Sequence, residues 1–178
     1  MSTNHQKYPI GWFEKPVLIT PIIWSTWIST ISAFPDNLFQ EVENLSDQQL
    51  NTMYREDGWT VRQVVHHCAD SHMNAFIRFK LAMTEESPTI KPYFEDRWAE
   101  LLDGKTASVL ASIQILRGLH YRWTVLLKSL NDKDLQKTYI HPEHGNNISL
   151  EEAAGMYAWH CSHHLAHITT LKKMKNWR

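Results

Sequence analysis

The chain has 178 residues, a formal net charge of −1 and a hydrophobic content of 43%. This length favours one domain, residues 1–178, with a core large enough to sustain it. The near-neutral charge gives no electrostatic basis for binding nucleic acid, and no apolar run is long enough to span a membrane. Because the only cysteines are Cys68 and Cys161, a disulfide framework is not indicated and we expect a cytoplasmic protein.

Helical periodicity dominates the first half of the chain, where two long segments repeat their apolar residues every three to four positions. The first segment begins with Thr20 as N-cap and Pro21 in the first helical position, and Pro35 predicts a kink within it. The second begins with a capping box formed by Thr60 and Gln63 and extends to about residue 84.

The second half of the chain contains a short helix and two further long ones. We expect the short helix at about residues 94–102, a long helix at about 107–130, and a polar, irregular excursion over 131–147. The last helix begins at a capping box formed by Ser149 and Glu152. The four long amphipathic helices predict an all-α, four-helix bundle with long inter-helix excursions, a fold whose sites are built from side chains on facing helices.

Seven of the eleven histidines fall in two short windows, residues 66–72 and 160–167. His160 and His164 lie one turn apart on the apolar stripe of the last helix, as does Tyr157. Two imidazoles at this spacing can bind one divalent ion. A third, from the second long helix, would complete the three ligands of a catalytic zinc site with an open position.

The third ligand is chosen by comparing helix faces. His67 lies one turn from Val64 and Ser71, whereas the face of His66 is more polar, so that His67 is the better ligand. His72 remains open as a further candidate.

A competing pair, His163 and His167, is rotated away from the apolar stripe, and we expect it at the surface or supporting the ligands. Asp70, His163 and Tyr157 are candidates for a general base only because they are near the ligand positions. His120 is expected to be a hydrogen-bonded core histidine.

The two cysteines and the segment 141–145 are expected to have structural rather than catalytic roles. Both cysteines are expected to be small buried hydrophobes, with Cys68 as a fourth ligand or redox-sensitive neighbour being the alternative. The segment 141–145, which contains His141 and His144, is interpreted as a loop near the mouth of the site.

Three runs on the second helix, GWTVRQVVHH (58–67), ADSHMN (69–74) and IRFKL (77–81), resemble the YfiT proteins, a branch of the DinB/YfiT-like metalloprotein superfamily. The resemblance extends over nearly the whole chain and includes further short segments: residues 8–11, 84–86, 91–93, 159–160, 163–164 and 166–168.

The resemblance implies a four-helix bundle, a homodimer and one zinc or nickel ion bound by three histidines, which fall here on His67, His160 and His164. Family members are described as metal-dependent hydrolases, and some relatives are thought to transfer low-molecular-weight thiols such as bacillithiol onto electrophiles. Cys68 departs from the pattern, because a leucine-like residue is expected there.

We therefore expect a zinc-dependent hydrolase with a small-molecule substrate and an open coordination position for a catalytic water. One alternative is a metal-dependent thiol S-transferase that uses the same three ligands. The other is a non-catalytic metal-binding stress-response module, in which the protein would fill the fourth position.

Overall fold

The computed structural model describes residues 6–143 and 145–177, and for Asn146 it describes the backbone alone. The helices and strands are, in chain order: α1 (Pro21–Val42), α2 (Asp47–Leu50), α3 (Val61–Thr84), α4 (Glu95–Ala99), α5 (Leu102–Thr106), α6 (Val109–Ser129), α7 (Asp132–Leu135), β1 (Thr138–His141), β2 (Asn146–Ser149) and α8 (Leu150–Lys175). The four long helices form the bundle: α1 packs on α6 and α8, and α3 packs on the same two helices. Within the described residues, no helix is both long and apolar enough to cross a membrane.

The helix starts follow the capping chemistry of the sequence. The Thr60–Gln63 box is complete, and the Thr20 hydroxyl accepts from the backbone of the first turn. At α8 the Ser149 hydroxyl accepts from the backbone N–H of Glu152, but the reciprocal half of the predicted box is not formed. The Glu152 carboxylate instead accepts from Lys15 at 2.8 Å, so the side chain ties the N-terminal segment to α8.

The sequence had suggested an irregular excursion over 131–147, but the structure has regular elements there. It contains the short helix α7, and β1 and β2 then pair as an antiparallel hairpin in which Thr138 lies opposite Ser149. Gly145 provides the turn, with a φ of +65° that few side chains tolerate. Strands of four residues are too short to give a recognisable period-two pattern, which is why the hairpin was missed.

Pro35 lies inside α1, as predicted, and leaves a backbone carbonyl without its helical partner. In a regular helix the N–H of residue 35 would donate to the carbonyl of Ile31, but proline has no N–H. Nδ1 of His120, on α6, fills that position and lies 2.5 Å from the Ile31 carbonyl oxygen. The proline thus creates the acceptor that anchors a histidine from another helix.

Candidate metal centre

Three histidines converge between α3 and α8. Nε2 of His160 lies 3.4 Å from Nε2 of His67 and 3.1 Å from Nε2 of His164. The nitrogens of this triad all lie within 4.8 Å of one another. These are the residues that the sequence predicted as ligands, and the fold brings them to one place.

The donor set of the triad suits a divalent cation. Burial lowers the pKa of His67 to about 4, and burial together with the neighbouring imidazoles lowers the pKa of His160 and of His164 well below its usual value. The three rings are therefore neutral at pH 7, which is the form that binds zinc. Neutral nitrogens pointing at one another cannot all be satisfied by mutual hydrogen bonds, and a shared cation would satisfy them.

A row of histidines runs from the triad through the core to α1. Nδ1 of His160 lies 3.0 Å from Nε2 of His72, and Nδ1 of His72 lies 2.7 Å from Nε2 of His120. The row ends where His120 donates to the carbonyl of Ile31. The side chains of His72 and His120 are 0% and 1% exposed, so water does not compete for these contacts.

The end of this row fixes the tautomer of every ring in it. A carbonyl only accepts, so His120 carries its proton on Nδ1 and its Nε2 accepts from Nδ1 of His72. Nε2 of His72 must then accept from Nδ1 of His160. This leaves Nε2 of His160 without a proton and facing the other two nitrogens of the triad, as a metal ligand requires.

Two histidines that the sequence left in other roles are therefore part of this arrangement. His72, a further candidate ligand, lies behind His160 with both ring nitrogens engaged. His120 is the hydrogen-bonded core residue that was expected, and it also orients His72. The signal for both was Pro35, which frees a carbonyl one turn earlier, but only the fold shows which side chain reaches it.

The pair His163 and His167 does not lie at the surface: the side chains are 7% and 3% exposed. Nε2 of His167 donates to the carbonyl of Lys7 at 3.0 Å, and the ring of His163 stacks on that of Trp159 with centroids 4.4 Å apart. Tyr8 of the N-terminal segment and Tyr54 of the loop before α3 cover these two rings, a contact between distant segments that helical periodicity cannot anticipate. With His164, the pair forms a second group of nitrogens close enough to hold a metal ion.

A cavity of about 390 Å³ opens beside the triad. Its lining includes the triad and a mixed set of aromatic and polar side chains: Tyr54, Trp59, Ser71, Arg78, Tyr93, Tyr157, Trp159, His163 and His167. Three acidic residues, Glu95, Asp96 and Glu143, also line it, and all three are exposed. A small organic molecule could occupy this space next to the histidines.

The candidate general bases are placed differently with respect to this cavity. Tyr157 and His163 line it, whereas Asp70 is not among its lining residues. The Tyr157 hydroxyl lies 3.5 Å from the carbonyl of Ser71, and burial raises its pKa, so Tyr157 is a protonated donor at pH 7. Burial, and then the charge of Asp103, raises the pKa of Asp70 to about 6.

The two cysteines and the segment 141–145, which the sequence also singled out, are placed differently with respect to the cavity. Cys68 and Cys161 are buried free thiols whose pKa is raised by burial, and neither lines the cavity. His141, the last residue of β1, and Glu143, in the turn of the hairpin, do line it, as expected for a segment near the mouth. His144 lies outside the described residues.

Comparisons with known proteins agree on one family. The family model of the DinB superfamily matches residues 30–168. A Bacillus cereus protein named "Putative metal-dependent hydrolase" is 53% identical over 98% of this chain and 99% of its own length. YfiT of Bacillus subtilis, which carries the same description, is 48% identical over 99% of both chains.

Two solved structures share the fold. The structure of Bacillus subtilis YfiT, described as "a probable metal-dependent hydrolase with an unusual four-helix bundle topology", superposes with a TM-score of 0.95 over 98% of this chain and 99% of that one, at 48% identity. The four-helix bundle protein TT2238 superposes with a TM-score of 0.56 over 83% of this chain and 98% of its own, at 19% identity, and supports the fold alone. The predicted four-helix bundle and the predicted family are both confirmed.

Proposed function

Because the chain belongs to the DinB superfamily, we propose that it is a metal-dependent hydrolase of a small-molecule substrate, with one zinc ion bound by His67, His160 and His164. The observation that carries the proposal is the convergence of three neutral imidazole nitrogens beside an open cavity. Imidazole suits nickel as well, so nickel can replace zinc in the same site. The homodimer and the cytoplasmic location stay predictions.

The chemistry needs a metal and a set of side chains that prepare its ligands. The three histidines would hold a zinc ion with a position open to water, and the ion would supply an activated water and polarise the acceptor bond of an ester or amide. His72 keeps the proton of His160 on Nδ1, and the ring of Trp59 packs 4.5 Å from that of His67. The Tyr157 hydroxyl, protonated and on the cavity wall, can donate to a substrate oxygen in exchange for its 3.5 Å contact with the carbonyl of Ser71.

Thiol transfer is the second candidate, and the position of the cysteines favours it as the alternative. Since neither thiol of the chain lines the cavity, no side-chain sulfur is available there as a nucleophile. The sulfur of a low-molecular-weight thiol from solution would attack an electrophilic carbon, a C–S bond would form as the bond to the leaving group breaks, and the leaving group would take up the thiol proton. The open cavity disfavours the third reading, a closed, non-catalytic metal site.

The ligand set is tested by replacing each proposed ligand and, for comparison, the other histidines near it on the same helix. His160→Ala and His164→Ala should abolish tight zinc binding, and His67→Ala should weaken it severely. His66→Gln is the matched control, because the ring of His66 contacts Ser112 and the carbonyl of Ala107 and not the triad. His163→Ala and His167→Ala should keep the stoichiometry with a lower affinity. If these two prove to be the essential pair, the assignment on α8 is wrong.

The reaction class is tested with the zinc-loaded protein on ester, amide and electrophile panels, each with and without a small thiol. Hydrolysis should need no thiol and should disappear in His160→Ala but not in His66→Gln. Turnover that occurs only with added thiol would overturn the hydrolase in favour of the transferase.

A further inference from the structure

Helix α3 carries two buried arginines with opposite surroundings. Arg62, 5% exposed, donates to carboxylate, amide and carbonyl oxygens of three residues: Asp47 at 2.7 Å, Asn51 at 3.0 Å and Ala107 at 2.8 Å. Arg78, 8% exposed, makes no hydrogen bond or ion pair with any residue in the described part of the chain. A guanidinium stays charged and has five N–H donors. No Arg78 nitrogen is among the fully buried polar atoms without a partner in the described part of the chain, so these donors open onto the cavity, where water or a ligand can accept from them.

Arg78 faces the cavity that contains the histidine triad. Residues 67, 71 and 78 are four and then seven positions apart, which places His67, Ser71 and Arg78 within about 40° of one another around the helix axis. All three line the cavity. The Cα of Arg78 lies about 16 Å along the axis from that of His67, and helical side chains lean towards the N-terminus, so the guanidinium reaches back towards the triad.

The wall around Arg78 has no carboxylate in contact with it. Burial raises the pKa of Tyr157 and of Tyr139, and the positive charge of Arg78 opposes that shift in both, which places Arg78 close to the two phenols. Three acidic residues line the cavity, Glu95, Asp96 and Glu143, and none of them forms an ion pair with Arg78. The cavity therefore contains an unpaired cation at one end and the triad at the other.

We propose that Arg78 binds a carboxylate of the substrate, so that the hydrolase acts on an ester or amide that carries a free carboxylate several bonds from the cleaved bond. The hydrolysis in this inference rests on the proposed function, whereas the binding of a carboxylate by Arg78 does not. The planar guanidinium matches a carboxylate with two parallel hydrogen bonds. The three acidic side chains on the cavity wall would repel a dianion such as phosphate more than a monoanionic carboxylate, which favours the carboxylate.

Binding is tested on the metal-free protein, where a carboxylate cannot bind a metal. The monoamide of glutarate, a monoanion, is titrated against the fluorescence of Trp59 and Trp159, which line the cavity, with the neutral glutaramide and inorganic phosphate as comparison probes. Arg78→Gln should weaken binding of the monoamide about tenfold or more, and Arg78→Lys should weaken it less. Lys80→Gln is the matched control, since it removes the same charge from an exposed position on the same helix.

Three results would overturn the proposal. They are equal binding of the glutarate monoamide by the wild type and Arg78→Gln, binding of glutaramide as tight as that of the monoamide, and binding of phosphate in preference to the monoamide. Thermal unfolding separates a ligand role from a structural one. Arg78→Gln should leave the Tm unchanged or raise it, whereas Arg62→Gln should lower it, because only Arg62 has partners to lose. A Tm loss in Arg78→Gln as large as that in Arg62→Gln would also contradict the proposal.

A matched pair of substrates separates this inference from the proposed function. The zinc-loaded protein is given the monophenyl ester of glutaric acid and phenyl valerate, which differ by the free carboxylate. Hydrolysis of both at equal rates, unaffected by Arg78→Gln, would overturn the carboxylate site and leave the hydrolase standing. Failure to hydrolyse either, with the glutarate monoamide still bound through Arg78, would overturn the hydrolase and leave the site standing.

Discussion

His72 is the residue that determines which nitrogen of His160 faces the triad. Its Nε2 accepts from Nδ1 of His160 because its own proton is committed to His120. A metal-binding imidazole commonly donates its other N–H to an acceptor, which orients the ring and raises its basicity. Here the acceptor is a neutral histidine in the core, so the ligand depends on a side chain that never reaches the cavity.

We predict that His72→Phe lowers zinc affinity about 10- to 100-fold, because His160 loses the acceptor for its Nδ1 proton. His72→Gln should recover part of the loss, since its amide oxygen can accept that hydrogen bond. Zinc affinity is measured by competition with a chelator, and ¹⁵N chemical shifts of the His160 ring report the tautomer in the metal-free protein. His66→Gln is the control. Wild-type affinity and an unchanged tautomer in His72→Phe would contradict the role given to His72.

Helix α1 contributes to the site through a missing hydrogen bond. Pro35 leaves the Ile31 carbonyl free, and His120 on α6 occupies it. The row of hydrogen bonds from α1 through α6 and α3 to α8 thus depends on a proline, which destabilises a helix interior by ~3 kcal/mol. The residue that is unfavourable in a helix interior thus exposes the acceptor that His120 uses.

Pro35→Ala should therefore separate stability from metal binding. The new N–H at residue 35 would compete with His120 for the Ile31 carbonyl, so zinc affinity should fall while the free energy of unfolding rises or stays constant. Ser29→Ala, at an exposed position of the same helix, is the control and should change neither. The two quantities are measured by chelator competition and by urea denaturation. A zinc affinity equal to that of the wild type would refute the link between Pro35 and the triad.

At the level of elements, the sequence predicted what local chemistry determines. The N-caps Thr20, Thr60 and Ser149 and the periodic apolar residues give the long helices their starts and their core faces, and His67, His160 and His164 follow from those faces. Contacts between distant segments were not predictable in this way. The burial of His163 and His167 depends on the N-terminal segment and on Tyr54. The row from His160 to Ile31 depends on how four helices pack.

The molecule as a whole buries an unusual number of neutral imidazoles, and its stability should depend on pH as a result. Burial is the main cause that lowers the pKa of His67, His120 and His167 to about 4 and that of His163 to about 3. In the unfolded chain the same rings titrate near 6.5. Between these values the unfolded state binds more protons than the folded one, so acid favours unfolding.

We predict that the metal-free protein loses stability progressively as the pH falls from about 6.5 towards about 4, and little between pH 8 and 7. Urea denaturation midpoints measured at half-unit intervals give the curve. His120→Asn, which removes one of these groups, should flatten it. A midpoint independent of pH in this range would show that the buried rings are not neutral in the folded state.

The central claim is that the three converging histidines bind one divalent ion, and the most direct measurement is the zinc uptake of the protein purified without a histidine tag. Elemental analysis of the purified chain, and calorimetric titration of the chelator-treated, folded chain, should both give about one ion per chain. The His160→Ala chain should take up none tightly, with His66→Gln retaining full uptake. A folded, metal-free protein that fails to take up zinc or nickel would contradict the claim.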